Sequence, residues 1–333
     1  GNVLKDKGEL DAAIESYKEA IKIQPDYAAA YNNMGNVLRD NVKLIPAIES
    51  YKQALKIKPE YSYAYWNLSG CALDISEAKT WVKKCLEVDA GHVKARLTLA
   101  TLNFYEGDET EFNNLIISPL WDHHHTRSMS WVISQPELPK LYFNRWQLFD
   151  FAIQNSSHSR PFYEFGVWRG AAFRYLIKPF KKGYGFDTFE GLPEDWVTEK
   201  AGTYEDWQRD WHSEKAGYYS SDGNIPEIEG GEFFAGKFED TLPEFFASNR
   251  PMASIINFDA DLYSSTKCAL NYSKPVIDPK TILVFDEFIN NPNWEEDEFK
   301  ALEEFCAENN LTYQVLAVSF FSKQVAIRLL EYD

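Results

Sequence analysis

The stretch "GNVLKDKGELDAAIESYKEAIKIQP" at Gly1 returns as "GNVLRDNVKLIPAIESYKQALKIKP" at Gly35, so Tyr17 and Tyr51, Ala20 and Ala54, and Pro25 and Pro59 are each 34 residues apart. A repeat of that period confines the first third of the chain to stacked helix pairs, because one pair cannot bury its apolar face alone. Gly35 lets the two helices of a repeat approach closely, Ala47 and Ala54 fill the seam, Tyr51 packs beneath, and Pro59 ends the second helix. A degenerate third copy begins near Tyr65-Trp66-Asn67-Leu68, and a helical fragment near Val93 to Tyr105 starts a fourth.

These features resemble the tetratricopeptide repeat, which implies an α-solenoid over residues 1–118 and a groove for a peptide or protein partner. Gly1 already stands at the mid-helix glycine position, so the expectation is a fragment of a longer array. Asn2 with Asn36, and Asn33 with Asn67, recur at the repeat period. They either hydrogen-bond an extended peptide or are solvated helix positions. A junction follows over residues 119–160. Its "WDHHHTRSMSW" holds His123, His124 and His125, but consecutive side chains diverge on a helix or a strand, so a loop or interface role is expected rather than a metal site. Leu141 to Asn155 has apolar residues at helical spacing and reads as a docking helix.

A length of 333 residues suits two domains, and 44% hydrophobic residues with many aromatics argue for packed structure. The net charge of −17 argues against nucleic acid, whose phosphates it would repel. No apolar run is long enough to cross a bilayer, and the start has no basic segment leading into an apolar one. Cys71, Cys85, Cys268 and Cys306 lack paired spacing, which fits a reducing compartment. The expectation is a soluble, cytoplasmic protein.

From Pro161 the period changes. Short apolar runs such as "FYEFGV", "GYGFDTF", "GEFFAGKF", "ASIINF" and "TILVFDEF" alternate with helical patterns, the mark of a parallel sheet with helices on both faces. "LTYQVLAVSF" and "KQVAIRLL" read as an antiparallel hairpin at the sheet edge. The expected fold of residues 161–333 is therefore a doubly wound, Rossmann-like, mostly parallel sheet closed by a hairpin, the shape of class I methyltransferases. A long insertion near 191–230 is rich in Trp, Tyr and acids; Trp196, Trp207, Trp211, Tyr218 and Tyr219 suit either a lid or a structural cover.

Ligands of open parallel sheets bind outside the carboxyl ends of the strands, so the residues there matter most. The first run ends in Glu164, Gly166 and Gly170, a turn where backbone can approach a ligand. The second ends in Asp187, placed for ribose hydroxyls or as an N-cap. The third ends in Gly236, Lys237 and Phe238, which could flank an adenine, with Asp240 or Thr241 capping the next helix. The fourth and fifth end in Asp259-Ala260-Asp261 and Asp286-Glu287. Four carboxylates at neighbouring strand ends repel unless a cation compensates them, and oxygen-only ligands select Mg²⁺ or another hard divalent ion. Asp259 and Asp261, two apart on a strand, share a face, so either could ligate metal while the other takes a proton. His212 is an alternative base. Tyr263 and Lys267 match the Tyr-x-x-x-Lys pattern of NAD-dependent reductases, a short pattern that leaves the acidic strand ends unexplained.

"FYEFGVWRG", "GYGFDTFEGLPEDW", "GKFEDTLPEF", "INFDADLYSSTKCAL" and "TILVFDEF" resemble, in order, segments of the macrocin O-methyltransferase family of metal-dependent enzymes, with "FDTFEGLPEDW" the most distinctive. The resemblance covers roughly Leu141 to Leu330. It implies S-adenosylmethionine held by Glu164, Gly166, Gly170 and Asp187, and Val167, Trp168, Arg169, Thr188, Gly236, Lys237, Phe238 and Asp259 are candidate cofactor contacts beside them. It also implies Mg²⁺ on Asp259 or Asp261 together with Asp286 and Glu287. One departure is Glu287, where the family pattern more often has a second aspartate. The expected reaction is O-methylation of a sugar or glycosylated small molecule, with self-association left open. The alternative is a repeat scaffold carrying a catalytically degenerate cofactor-binding domain.

Overall fold

Gly35 is glycine because the ring of Tyr51 fills the space beside it: a Cβ there would meet that ring at 2.5 Å. Gly1 stands in the same relation to Tyr17, at 2.4 Å. In the computed structural model, which describes residues 1–197, 213–214 and 219–331, this complementarity organises the first of two units, Gly1–Met129 and Ser130–Asp333. The first unit is helical: α1 (Asn2–Asp6), α2 (Leu10–Ile23), α3 (Ala28–Asp40), α4 (Leu44–Ile57), α5 (Ser62–Ser69), α6 (Ile75–Val88), α7 (Val93–Tyr105) and α8 (Thr110–Ile116). Ala47, Tyr51 and Ala54 are wholly buried, as the repeat pattern requires. The recurrent asparagines have a job inside the repeat: Tyr51 Oη donates to Asn36 Oδ1 at 2.8 Å, Tyr17 donates to Asn2, and Asn67 donates to Asn32 Oδ1 at 2.9 Å. Phenol hydroxyls on a packed seam need acceptors, and the asparagines supply them.

Helix α9 (His124–Ile133) begins among the three histidines, and a strand not expected from the sequence, β1 (Lys140–Tyr142), precedes α10 (Arg145–Gln154). The second unit continues with β2 (Phe162–Phe165), α11 (Ala171–Leu176), β3 (Gly183–Asp187), β4 (Trp196–Val197), β5 (Ser213–Glu214), β6 (Gly231–Ala235) and α12 (Phe238–Phe246). It ends with β7 (Ile255–Phe258), α13 (Tyr263–Ser273), β8 (Ile282–Phe285), α14 (Glu298–Asn309), β9 (Leu311–Ser319) and β10 (Val325–Glu331). The main sheet has the order β1-β9-β10-β8-β7-β2-β3-β6, and β10 runs antiparallel to both its neighbours. The hairpin does not form the sheet edge: β1 pairs in parallel with β9 outside it. From β2 the chain winds one way through β3 and β6 and the other way through β7 and β8, so the topological switch lies between β2 and β7.

One row of phenylalanines sets the register of this sheet. Phe234, Phe186, Phe165, Phe258 and Phe285 are partners across β6, β3, β2, β7 and β8. Their rings stack at centroid separations of 5.1, 5.1, 5.4 and 4.7 Å, with interplanar angles of 20° or less. Each such pair contributes about 0.5–1.5 kcal/mol beyond area burial. A one-residue slip would break all four contacts and turn every side chain over. One residue beyond the row stand Asp187, Gly166, Asp259 and Asp286. The backbone ladder continues there, with Gly166 N–H donating to Phe186 O, Asp259 N–H to Phe165 O and Asp286 N–H to Phe258 O, at 2.8–2.9 Å. Phe165→Ala should destabilise the second unit by about 3–5 kcal/mol, read from urea denaturation; a loss below about 1 kcal/mol would remove the row as the register element.

Candidate active site

Gly166 ends β2 with φ 90°, and a Cβ on it would lie 1.8 Å from the Asp259 carbonyl oxygen. Only glycine allows both that conformation and that approach. Trp168 (φ 48°) and Gly170 (φ 72°) complete the turn into α11. The turn is held from β3: Asp187 Oδ2 accepts the N–H groups of Val167 and Trp168 at 2.7 and 2.6 Å, and its Oδ1 accepts Phe189 N–H at 2.7 Å. Asp187 thus stands where the sequence placed it, but its oxygens are bonded to its own loops. Thr188 Oγ1 donates to the Gly191 carbonyl at 2.7 Å. Next to the turn, Glu164 Oε2 is buried without a hydrogen-bond partner. Burial, then the negative charge of Asp259, pushes the Glu164 pKa well above the ordinary carboxylate value.

At the ends of β7 and β8, Arg145 from the first turn of α10 donates through one Nη2 to Asp259 Oδ2 at 2.9 Å and to Asp286 Oδ1 at 2.8 Å. Gln324 Nε2 donates to the same Asp286 oxygen at 2.5 Å, and Lys323 Nζ lies 2.6 Å from Glu287 Oε2. Glu287 N–H is held by Glu298 Oε2 at 3.0 Å. Burial works against the Arg145 charge, but Asp286 and Asp259 more than offset it, so its pKa is raised. Burial pushes Asp286 up to about 7 despite Arg145, and Asp259 is raised for the same reason. Glu298 is raised by burial and then by Asp261.

Two expectations are corrected here. Asp261 does not share a strand face with Asp259: β7 ends at Phe258, and Asp261 has φ 59° in the following bend. The alternation of strand side chains therefore does not extend to it. The cation expected among Asp259, Asp261, Asp286 and Glu287 also does not fit the donor set. The carboxylates of Asp259, Asp286 and Glu287 are turned to Arg145 and Lys323, and among the described residues no group of three or more His, Cys, Asp or Glu side chains is placed to hold a metal ion.

Other predicted positions do different work. Phe238 starts α12 facing inward, 8% exposed and edge-on to Phe165, so it belongs to the core and not to an adenine slot. Gly236 (φ 142°) and Lys237 precede it; Lys237, not Asp240 or Thr241, is the N-cap, and Thr241 bonds back to its carbonyl. Tyr263 Oη donates to Glu304 and Lys267 Nζ to Glu308, at 2.5 and 2.8 Å, so the reductase pair ties α13 to α14. Arg169 contributes its carbonyl to Arg174, at 2.6 Å. Tyr219 sits edge-on to Trp168 at 5.3 Å, whose indole N–H donates to Ser220 O at 3.3 Å. Trp196 is buried. His212, Trp207, Trp211 and Tyr218 lie outside the described residues. In the first unit, His123 and His125 are buried at the start of α9, which pushes their pKa values down to about 4 and 3 and keeps both rings neutral. Arg145, Lys323, Gln324 and Glu298 were not singled out from sequence. The one signal was an arginine opening a helix rich in apolar and aromatic residues.

A mostly parallel sheet with one antiparallel strand beside β8, and a glycine turn and acids at its strand ends, defines a methyltransferase-type domain. Residues 152–323, just over half of the chain, match the family Macrocin-O-methyltransferase (TylF); the chain belongs to that family and is an O-methyltransferase. Residues 1–41 and 28–61 match tetratricopeptide repeat families. Similar solved structures include the O-methyltransferase NovP (19% identity, 56% of this chain and 80% of that one, TM-score 0.39). Another is the calicheamicin methyltransferase CalS11 (22% identity, 71% and 90%, TM-score 0.40). The first tetratricopeptide repeat of Spaghetti, bound to an HSP90 peptide, matches at 20% identity over 32% and 88%, with TM-score 0.31. No curated protein matches the chain in sequence.

The raised carboxylates fix the sign of the pH dependence. A carboxyl with folded pKa above its unfolded value adds stability at low pH and loses it as pH rises through the folded pKa. For Asp286, at about 7, the ligand-free protein should lose on the order of 2 kcal/mol between pH 5 and pH 8. Urea denaturation across that range checks this, and Asp286→Asn should flatten the slope.

Proposed function

We propose that the chain transfers a methyl group from S-adenosylmethionine to a hydroxyl of a sugar or glycosylated small molecule at the β2/β7 switch point. The observation that carries this is Glu164: a buried carboxylate with an unpartnered oxygen, beside a glycine turn fixed by Asp187, in a member of this family. A buried carboxylate calls for a cationic ligand group, and the ammonium of the donor meets that need. Glu164 and the Gly166 to Gly170 turn would hold the donor. When bound, it supplies an electrophilic methyl on a sulfonium. The protein's share is alignment, since displacement at carbon requires acceptor oxygen, methyl and sulfur in line.

An alcohol is a poor nucleophile at neutral pH, so its proton needs an acceptor. The Asp259 pKa is raised by burial, but its Oδ2 is already occupied by the Arg145 guanidinium, whose charge works against its taking a proton. Asp261, in the bend after β7 at φ 59°, is assigned as the base, with Asp259 as the alternative. Trp168 and Tyr219, half-buried beside the turn, offer ring faces suited to the C–H face of a sugar. In the first unit, a groove of about 540 Å³ lined by residues of α2, α3 and α4, among them Lys18, Tyr31, Met34 and Gln53, is assigned to a peptide or protein partner.

Calorimetry with S-adenosylhomocysteine tests the donor site. Glu164→Gln should weaken binding about tenfold or more, whereas equal affinity in both proteins would remove Glu164 from the site. Asp261→Asn should leave that affinity intact and lower S-adenosylhomocysteine release, measured against a panel of glycosides, by about 100-fold or more.

A further inference from the structure

We propose that Arg145, together with Lys323, takes the place of a divalent cation at the ends of β7 and β8, so that the acceptor site is assembled and works without a bound metal ion. The inference rests on the methyl-transfer reading for what the site does, but not for how its charge is balanced. Arg145 and Lys323 bring two positive charges against Asp259, Asp286 and Glu287, the same charge a divalent ion would bring. The guanidinium touches both aspartates through one nitrogen, so one positive group bridges the two carboxylates, as a shared ion would.

Arg145 is also held in place. Asn144 caps α10 by accepting Gln147 N–H at 3.1 Å, and Gln147 Oε1 accepts Phe143 N–H at 2.9 Å, so the first helical residue has a fixed direction. Its guanidinium carbon lies 5.6 and 5.7 Å from the ring centroids of Trp146 and Phe149. Such cation–aromatic contacts favour this position over an extended one in water. Glu287 fits the same account. Its extra methylene, compared with aspartate, carries the carboxylate to Lys323 on the β9–β10 turn. Gln324, next in that turn, donates to Asp286 and leaves one of its oxygens with two donors from the protein. Arg145 is thus a positioning residue: it bridges the two aspartates and holds them in one arrangement at the strand ends.

The test is Mn²⁺ binding to the full chain, followed by electron paramagnetic resonance of the free ion, with rim binding defined as the part lost in a D259N/D286N double variant. Wild type should show no rim binding up to about millimolar Mn²⁺, and Arg145→Met should gain it with at least tenfold tighter apparent affinity. One rim-bound Mn²⁺ per wild-type chain below that concentration would overturn the proposal, and this arm does not depend on Arg145→Met folding. S-adenosylhomocysteine calorimetry on the same sample, with and without EDTA, separates the two readings. Binding unchanged by EDTA supports the proposal, and binding abolished by EDTA and restored by Mg²⁺ overturns it. Absence of binding in both conditions instead overturns the methyl-transfer reading on which it rests.

Discussion

The row of five stacked phenylalanines is the constraint from which the site follows. Parallel strands have no hairpin to fix their offset, and the four connections here run through helices or a long loop. Ring stacking across β6, β3, β2, β7 and β8 supplies the missing register information. Because the row is the last full rung before the strands end, everything one residue further on is brought to a common height. Asp187, Gly166, Asp259 and Asp286 are therefore neighbours by packing, although they are spread over a hundred residues of sequence.

Much of this was readable beforehand, for physical reasons. The repeat unit announces itself because glycine and tyrosine are sterically complementary, and a steric requirement leaves the same residue at the same interval. The strand ends were readable because an apolar run that stops at an acid has few alternatives in a parallel sheet. What escaped was non-local or conformational. Arg145 lies 114 residues from Asp259 and 141 from Asp286, and nothing in either neighbourhood mentions the other. The departure of Asp261 from strand geometry depends on a positive φ that aspartate tolerates but does not require. Phe238 was misplaced because an aromatic after a glycine and a lysine looks the same whether it stacks on a ligand or on Phe165.

The acidic rim shows how the same residues permit different electrostatic solutions. A cluster of carboxylates predicts that positive charge must arrive from somewhere, and it does not predict the source. Here the chain provides it, from α10 on one side and the β9–β10 turn on the other. Glu298, whose Oε2 accepts the Glu287 N–H, adds a further buried carboxyl group whose pKa is raised by burial.

Asp187 holds three backbone amides of two separate loops. These bonds tie the two loops to one side chain before anything binds, so a ligand entering there would meet loops already held together. Less of such a ligand's binding free energy would then be spent on ordering the loops.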